Sequence, residues 1–270
     1  MHLLIFNRRD TKEGEERSRE GVTKSRFALG PNHLETLKQQ RTLAKALESL
    51  GQFKESGQLH KITYEARIKI LGQDNFDTLG SLGDLVNLSI DLGHYAEAEE
   101  QEAMIVRTFT SLCGPESMPT LDQLCSLASC CHERGRYSMA VELVGRVLER
   151  RRKLLGDFHP STISALATLG RFKKSLGLWS DAKDCLIETL MVAPKVWDAS
   201  HSQYLLSKRD LAQTYESLGQ LTKSEEILVP LIESFKESFG EDDWKTCITI
   251  IDLARTYCAQ ERFEESLELA

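Results

Sequence analysis

Cys125, Cys130, Cys131 and His132 lie close together in the chain, and these are the residue types that hold zinc, whose structural sites take four nitrogen or sulfur ligands. A little further on, Gly156-Asp157-Phe158-His159-Pro160-Ser161-Thr162 brings a carboxylate, an imidazole and two hydroxyls into one short glycine-bounded stretch, as an acid–base or nucleophilic loop would. A third candidate, "RVLERRRKL" from Arg146 to Leu154, is basic enough to suggest a phosphate-binding or localisation patch. Each has to be weighed against the elements that would position it.

Those elements repeat. Gly51, Gly93, Gly135, Gly177 and Gly219 are 42 residues apart, and Gly30, Gly72, Gly114 and Gly156 keep the same period, with Asp198 interrupting before Gly240. Thr36, Thr78, Thr120 and Thr162 follow it too, resuming at Thr246 after Tyr204. Between the glycines, apolar columns recur (Leu43, Leu85, Leu127, Leu169, Leu211, Leu253), followed at once by mostly small residues (Ala44, Val86, Ala128, Gly170, Ala212, Ala254). Apolar and small positions at spacings of three, four and seven read as paired amphipathic helices that approach closely. Each period is therefore a helix A, a glycine turn and a helix B, with helix A of one period over Thr162 to Leu176 and its helix B from about Ser180.

The candidate chemistry falls into this frame. Gly156 ends a helix B and Pro160 opens the next helix A, where its missing N–H costs nothing. His159 shares a column with His33, Asn75, Ser117, His201 and Asp243, which are polar residues at helix starts, so a capping role is expected rather than a catalytic one. Cys130 and Cys131 would point about 100 degrees apart on a helix, and Cys131 shares the column of Leu47 and Tyr215, hence core. No metal and no cofactor are expected. "RVLERRRKL" reads as a solvated helix B face whose cations complement the helix C-terminus. Asn87-Leu88-Ser89 fits a glycosylation acceptor but falls inside helix A.

Composition narrows the function classes. The 270 residues carry a net charge of −7, 41% hydrophobic and 28% charged side chains, which suits a protein that buries a core and argues against a general nucleic-acid binder. The run Leu3-Leu4-Ile5-Phe6 is too short for a secretion signal, and no stretch is long and apolar enough for membrane insertion. Seven cysteines without a repeated CxxC point to reduced thiols and a cytoplasmic location. Without a phosphate-binding glycine loop, HExxH or GxSxG, no enzymatic activity is expected.

The 42-residue period with "LG…HP.T", as in Leu155-Gly156-Asp157-Phe158-His159-Pro160-Ser161-Thr162, resembles tetratricopeptide repeats of the kinesin light chain type, and "LGHYAEAEE" (Leu92 to Glu100) and "LGQFKESGQLH" (Leu50 to His60) look like the glycine-aromatic turn of that type. The resemblance implies an all-α, right-handed superhelical solenoid of helix-turn-helix repeats over residues 29–270, with five helix pairs and an incomplete sixth. Residues 1–28 read as a degraded helix B half repeat and an N-terminal tail. Two departures stand out: "VWDASHSQY" (Val196 to Tyr204) replaces the usual turn, and Pro230 falls inside a helix B, where proline kinks a helix.

In such arrays helix A lines the concave face, the expected peptide groove. Two helix A columns four residues apart, Lys45, Asn87, Ser129, Arg171, Gln213, Arg255 and Arg41, Gly83, Cys125, Ala167, Arg209, Ile251, contain five cations and no carboxylate. Arg41, Lys45, Asn87, Arg171, Arg209, Gln213 and Arg255 are therefore the candidate contacts for an acidic peptide segment, unless Asp84, Asp210 and Asp252 in the adjacent column neutralise them. The expected function is a non-enzymatic protein-interaction module or adaptor. The alternative is a sensor or assembly arm of a larger nucleotide-dependent signalling protein, which ends lacking polar capping helices would suit. Such ends would also permit self-association.

Overall fold

The computed structural model describes residues 3–269, with side chains from Lys12 onward; Met1, His2 and Ala270, and the side chains of the run Leu3-Leu4-Ile5-Phe6, lie outside the described residues. The described chain is helical, without a strand, and divides into two compact units, Met1–Arg134 and Gly135–Ala270. The first contains α1 (Leu3–Leu29), α2 (Leu34–Ser49), α3 (Phe53–Leu71), α4 (Phe76–Asp91), α5 (Tyr95–Cys113) and α6 (Met118–Glu133). The second contains α7 (Tyr137–Leu155), α8 (Pro160–Ser175), α9 (Trp179–Val192), α10 (Ser202–Ser217), α11 (Leu221–Phe239), α12 (Trp244–Ala259) and α13 (Phe263–Glu268). Within each unit, consecutive helices pack on one another.

The turn residues explain where helices start and stop. Gly156 ends α7 at φ 82°, a left-handed conformation that side chains other than glycine's resist. His159 then caps α8, its Nδ1 accepting the Ser161 N–H at 3.1 Å. His33, Asn75, Ser117 and Asp243 accept helix-start N–H groups in the same way. The threonine column closes the turn from the other side: Thr36, Thr120 and Thr246 donate to the carbonyls of Gly30, Gly114 and Gly240 at 2.7–2.8 Å. In the apparent active-site loop His159 is thus spent on the Ser161 N–H and Asp157 on Arg152 at 3.1 Å, while Thr162 Oγ1 is buried without a hydrogen-bond partner.

The fifth period departs from the rest. α9 stops at Val192 and continues as a 3-10 turn over Ala193–Lys195, so the chain reaches α10 by a different path, and no left-handed residue occurs at Asp198. His201 makes no side-chain cap there and stacks on Trp197 with ring centroids 4.6 Å apart. α11 runs from Leu221 to Phe239 without interruption through Pro230.

The cores differ in chemistry. In the second unit Leu205, Leu228, Leu231, Ile232, Phe235 and Leu253 pack together, and burying each such side chain contributes about 1.5–3 kcal/mol. In the first, Leu82, Val86, Ala98, Ile105 and Cys130 form the apolar cluster, beside buried His60, Thr63, Arg67, Asp84 and Glu102. Arg67 donates to the Asp77 carbonyl and to Ser81 Oγ, both at 2.8 Å, and Arg151 makes the corresponding bond to the Ser161 carbonyl.

Candidate functional site

The helix A columns place the expected cations on α2, α8, α10 and α12, but most of them are spoken for. Arg41 on α2 reaches α4 and grips Asp84 with two nitrogens, Nη2 to Oδ1 at 3.0 Å, and Lys45 approaches the same carboxylate at 3.3 Å. Asp84 is only 5% exposed, so it meets these cations where water screens little. Its hydrogen bond raises the Arg41 pKa above the ordinary guanidinium value.

In the second unit the arrangement recurs. Arg209 on α10 donates to Asp252 on α12 at 2.6 Å, Gln213 donates to the same oxygen at 2.8 Å, and Arg255 reaches Asp252 at 3.2 Å and Glu216 at 2.6 Å. Lys174 bonds Asp210 and Gln213. Both Arg41 to Asp84 and Arg209 to Asp252 span 43 residues, one period plus one. These ties join α2 to α4, α8 to α10 and α10 to α12. Among the described residues, Arg171 alone of the five cations has no carboxylate partner; it is exposed beside Phe172.

Of the seven expected contacts, Lys45, Asn87 and Arg41 converge on one surface. A cavity of about 580 Å³ is lined by Lys45, Glu48, Ser49, Phe53, Asp84, Asn87 and Asp91, all from α2, α3 and α4. A second, of about 390 Å³, shares Lys45, Asp84 and Asn87 and adds Arg41, Gly80, Gly83, Glu102 and residues of α6. Asn87 is exposed and Lys45 is 54% exposed, so each can turn to a ligand without uncovering core.

Two residues of this region were not among the expected contacts. His60 on α3 is 1% exposed, its Nε2 lies 2.8 Å from Glu48 and its Nδ1 lies 3.9 Å from Asp84. Glu102 on α5 is 3% exposed, Oε1 has no hydrogen-bond partner, and burial pushes its pKa up to about 7. The signal was present in the period: the column His60, Glu102, Val144, Leu186, Leu228 is titratable in the first unit and apolar in the second. Cys130 belongs to the core cluster, and burial together with the Glu102 charge pushes its thiol up to about 12. That holds it as a neutral core residue rather than as the thiolate that a zinc ion needs.

Residues 120–195 match the tetratricopeptide repeat family. No curated protein matches the chain. Among solved structures, the nearly identical TPR-like repeats of a kinesin light chain from Podosopora anserina align with a TM-score of 0.64 at 24% identity, over 75% of this chain and 95% of that one. BtubC (BKLC) from P. vanneervenii aligns at 0.70 and 16% identity, over 85% and 92%. The quorum sensor NprR from B. thuringiensis aligns at 0.62 and 14% identity, over 98% and 82%. No helix among the described residues is long and apolar enough to cross a membrane. At these identities the likeness is one of fold, and in fold the chain is an array of tetratricopeptide-like repeats similar to those of the kinesin light chain type.

Proposed function

We propose that the chain is a non-enzymatic peptide-binding module whose receiving surface is the helix A face of the first unit. The observation that carries this reading is the pair of adjoining cavities that share Lys45, Asp84 and Asn87. An extended segment laid along them would present an acidic side chain or terminal carboxylate to Lys45 and a peptide group to the Asn87 amide. Arg41 has a different part, because its guanidinium is committed to Asp84; it braces α2 against α4 and keeps Lys45 beside the cavity. Arg209, Gln213 and Arg255 brace the second unit in the same manner, and Arg171 is exposed on α8 of that unit. One solved structure with this fold is NprR in complex with its cognate peptide NprX, which supports a peptide as the class of ligand. We take residues 29–270 as the binding array and a reducing, cytoplasmic setting as its location, in keeping with free thiols at Cys113, Cys125, Cys130, Cys131, Cys185, Cys247 and Cys258.

The test is to pan a random heptapeptide library on the full chain and measure the selected peptides by fluorescence polarisation at low and high salt. Acidic residues should be enriched, and Lys45→Glu should weaken binding about tenfold or more at low salt. Unchanged binding by that variant would remove the acidic-peptide reading.

A further inference from the structure

In the first unit, the repeat register shows what Glu102 lacks. One period earlier, His60 holds the equivalent position, with Glu48 at 2.8 Å, Asp84 at 3.9 Å and Arg41 bound to Asp84. One period later, the position of Glu48 is taken by Ile90, that of Asp84 by Ser126, and that of Arg41 by Gly83. The polar partners are gone but the acid remains. Ser126 Oγ lies 3.5 Å from its own helix's Asp122 carbonyl, and a Cβ built on Gly83 would meet nothing within 4 Å. The space that the Arg41 side chain occupies one period earlier is therefore open at Gly83, and it belongs to the cavity of about 390 Å³ that Glu102 lines.

A buried carboxylate without a partner is costly, and the ordinary remedy in this column is an apolar residue such as Val144, Leu186 or Leu228, all of them buried. Glu102 also differs from the paired carboxylates around it. Its neighbour Glu99 is bonded by Arg134 at 3.0 Å, and Asp84 is shared by two cations. Among the described residues none donates to Oε1.

We infer that the cavity beside Gly83 is a subsite for a basic side chain, an arginine or lysine of a bound peptide, whose cationic head pairs with Glu102 in the space that Arg41 occupies one period earlier. Gln123, Ser126 and Ser129 along α6 offer oxygen acceptors for its remaining N–H groups. This inference rests on the reading of the same face as a peptide groove, and it adds a specificity: a ligand with one acidic group for Lys45 and one basic group for Glu102.

The experiment uses the full chain, its Glu102→Gln variant and the random heptapeptide library. Arginine or lysine should be enriched at one fixed distance from the acidic position, and that enrichment should vanish on Glu102→Gln while the acidic preference stays. The best selected peptide is then compared with its copy carrying citrulline in place of arginine, a neutral near-isostere. Citrulline should weaken binding to the unmodified chain about tenfold and make little difference on Glu102→Gln. The citrulline comparison on the unmodified chain stands even where the variant folds poorly. Acidic enrichment without a basic position, or a basic position indifferent to both citrulline and Glu102→Gln, would overturn the subsite and leave the groove standing. Failure to select any peptide would overturn both.

Discussion

The two units share one backbone pattern and differ in what they bury. Where helix B of the second unit puts Val144, Leu186 and Leu228 against its neighbours, the first unit puts His60 and Glu102. The next core-facing column is mixed in both units, Arg67 and Phe109 in the first and Arg151, Ala193 and Phe235 in the second. The repeated positions tolerate this exchange because turns and caps, not the core, define the period; the core then decides how stable each unit is. The first unit gives up apolar burial for buried polar groups that are only partly satisfied: Arg67 donates through Nη1 while its Nε has no partner, and Oε1 of Glu102 has none. Such local losses concentrate where a surface has work to do.

The contrast can be broken most forcefully in the second unit. Phe235→Ala removes a fully buried ring from its core and should destabilise that unit by about 4 kcal/mol. Trp179, Trp197 and Trp244 all lie there, so tryptophan fluorescence in urea follows that unit, whereas circular dichroism follows both. A shift below about 1 kcal/mol would mean that the apolar core is not what sets the second unit apart.

The next effect belongs to Glu102. Its folded pKa of about 7 lies above the ordinary 4.5, so the stability it confers is fully present below 4.5 and is lost as pH rises through 7. The loss should come to about 3 kcal/mol. Cys130, facing it, stays a neutral thiol to about 12, and Glu99 is tied to Arg134, so neither reverses the sign. Thermal melts should show Glu102→Leu flattening this dependence and stabilising the chain at alkaline pH. A wild-type melting temperature that is flat across neutral pH would contradict the assignment.

Smaller still is the cost of untying adjacent A helices. Asp84→Asn leaves Arg41 and Lys45 without their shared charge and should cost about 2 kcal/mol, with Asp252→Asn costing a similar amount in the second unit. Equal losses in urea titrations would show the ties to be a property of the period; a loss in one unit alone would separate them. The smallest change is a gain. Glu261 stands where the glycine series would continue and is held at φ 63°, so Glu261→Gly should raise stability by about 0.5–1 kcal/mol, read as a higher urea midpoint.

The period made much of this legible in advance. Helix pairs, left-handed glycines and the capping role of His159 follow from local chemistry, which a column of equivalent residues displays directly. The ion pairs stood only as an alternative because they cross to the adjacent column, 43 positions on for Arg41 and Arg209, 39 on for Lys45 and three back for Arg255, and a column read by itself does not show which carboxylate each cation meets. Glu102 was hidden for the opposite reason: an acid on an amphipathic helix is read as solvent-facing until packing shows that it is buried. The 3-10 turn after Val192 had a sequence trace in Asp198, Pro194 and the missing threonine, although its path did not follow from them.

The tie between Arg41 and Asp84 also bears on how such an array can lengthen. Repeat proteins grow by copying whole periods, and most joints here would accept a copy because both sides present equivalent residues. A tandem copy of residues 42–83 would instead set the second Thr42 opposite Arg41 and the first Gly83 opposite Asp84, parting donor from acceptor. The pair therefore sets the phase in which a period can be copied: a copy of residues 43–84 keeps Arg41 and Asp84 together, and the copy that begins at Thr42 does not.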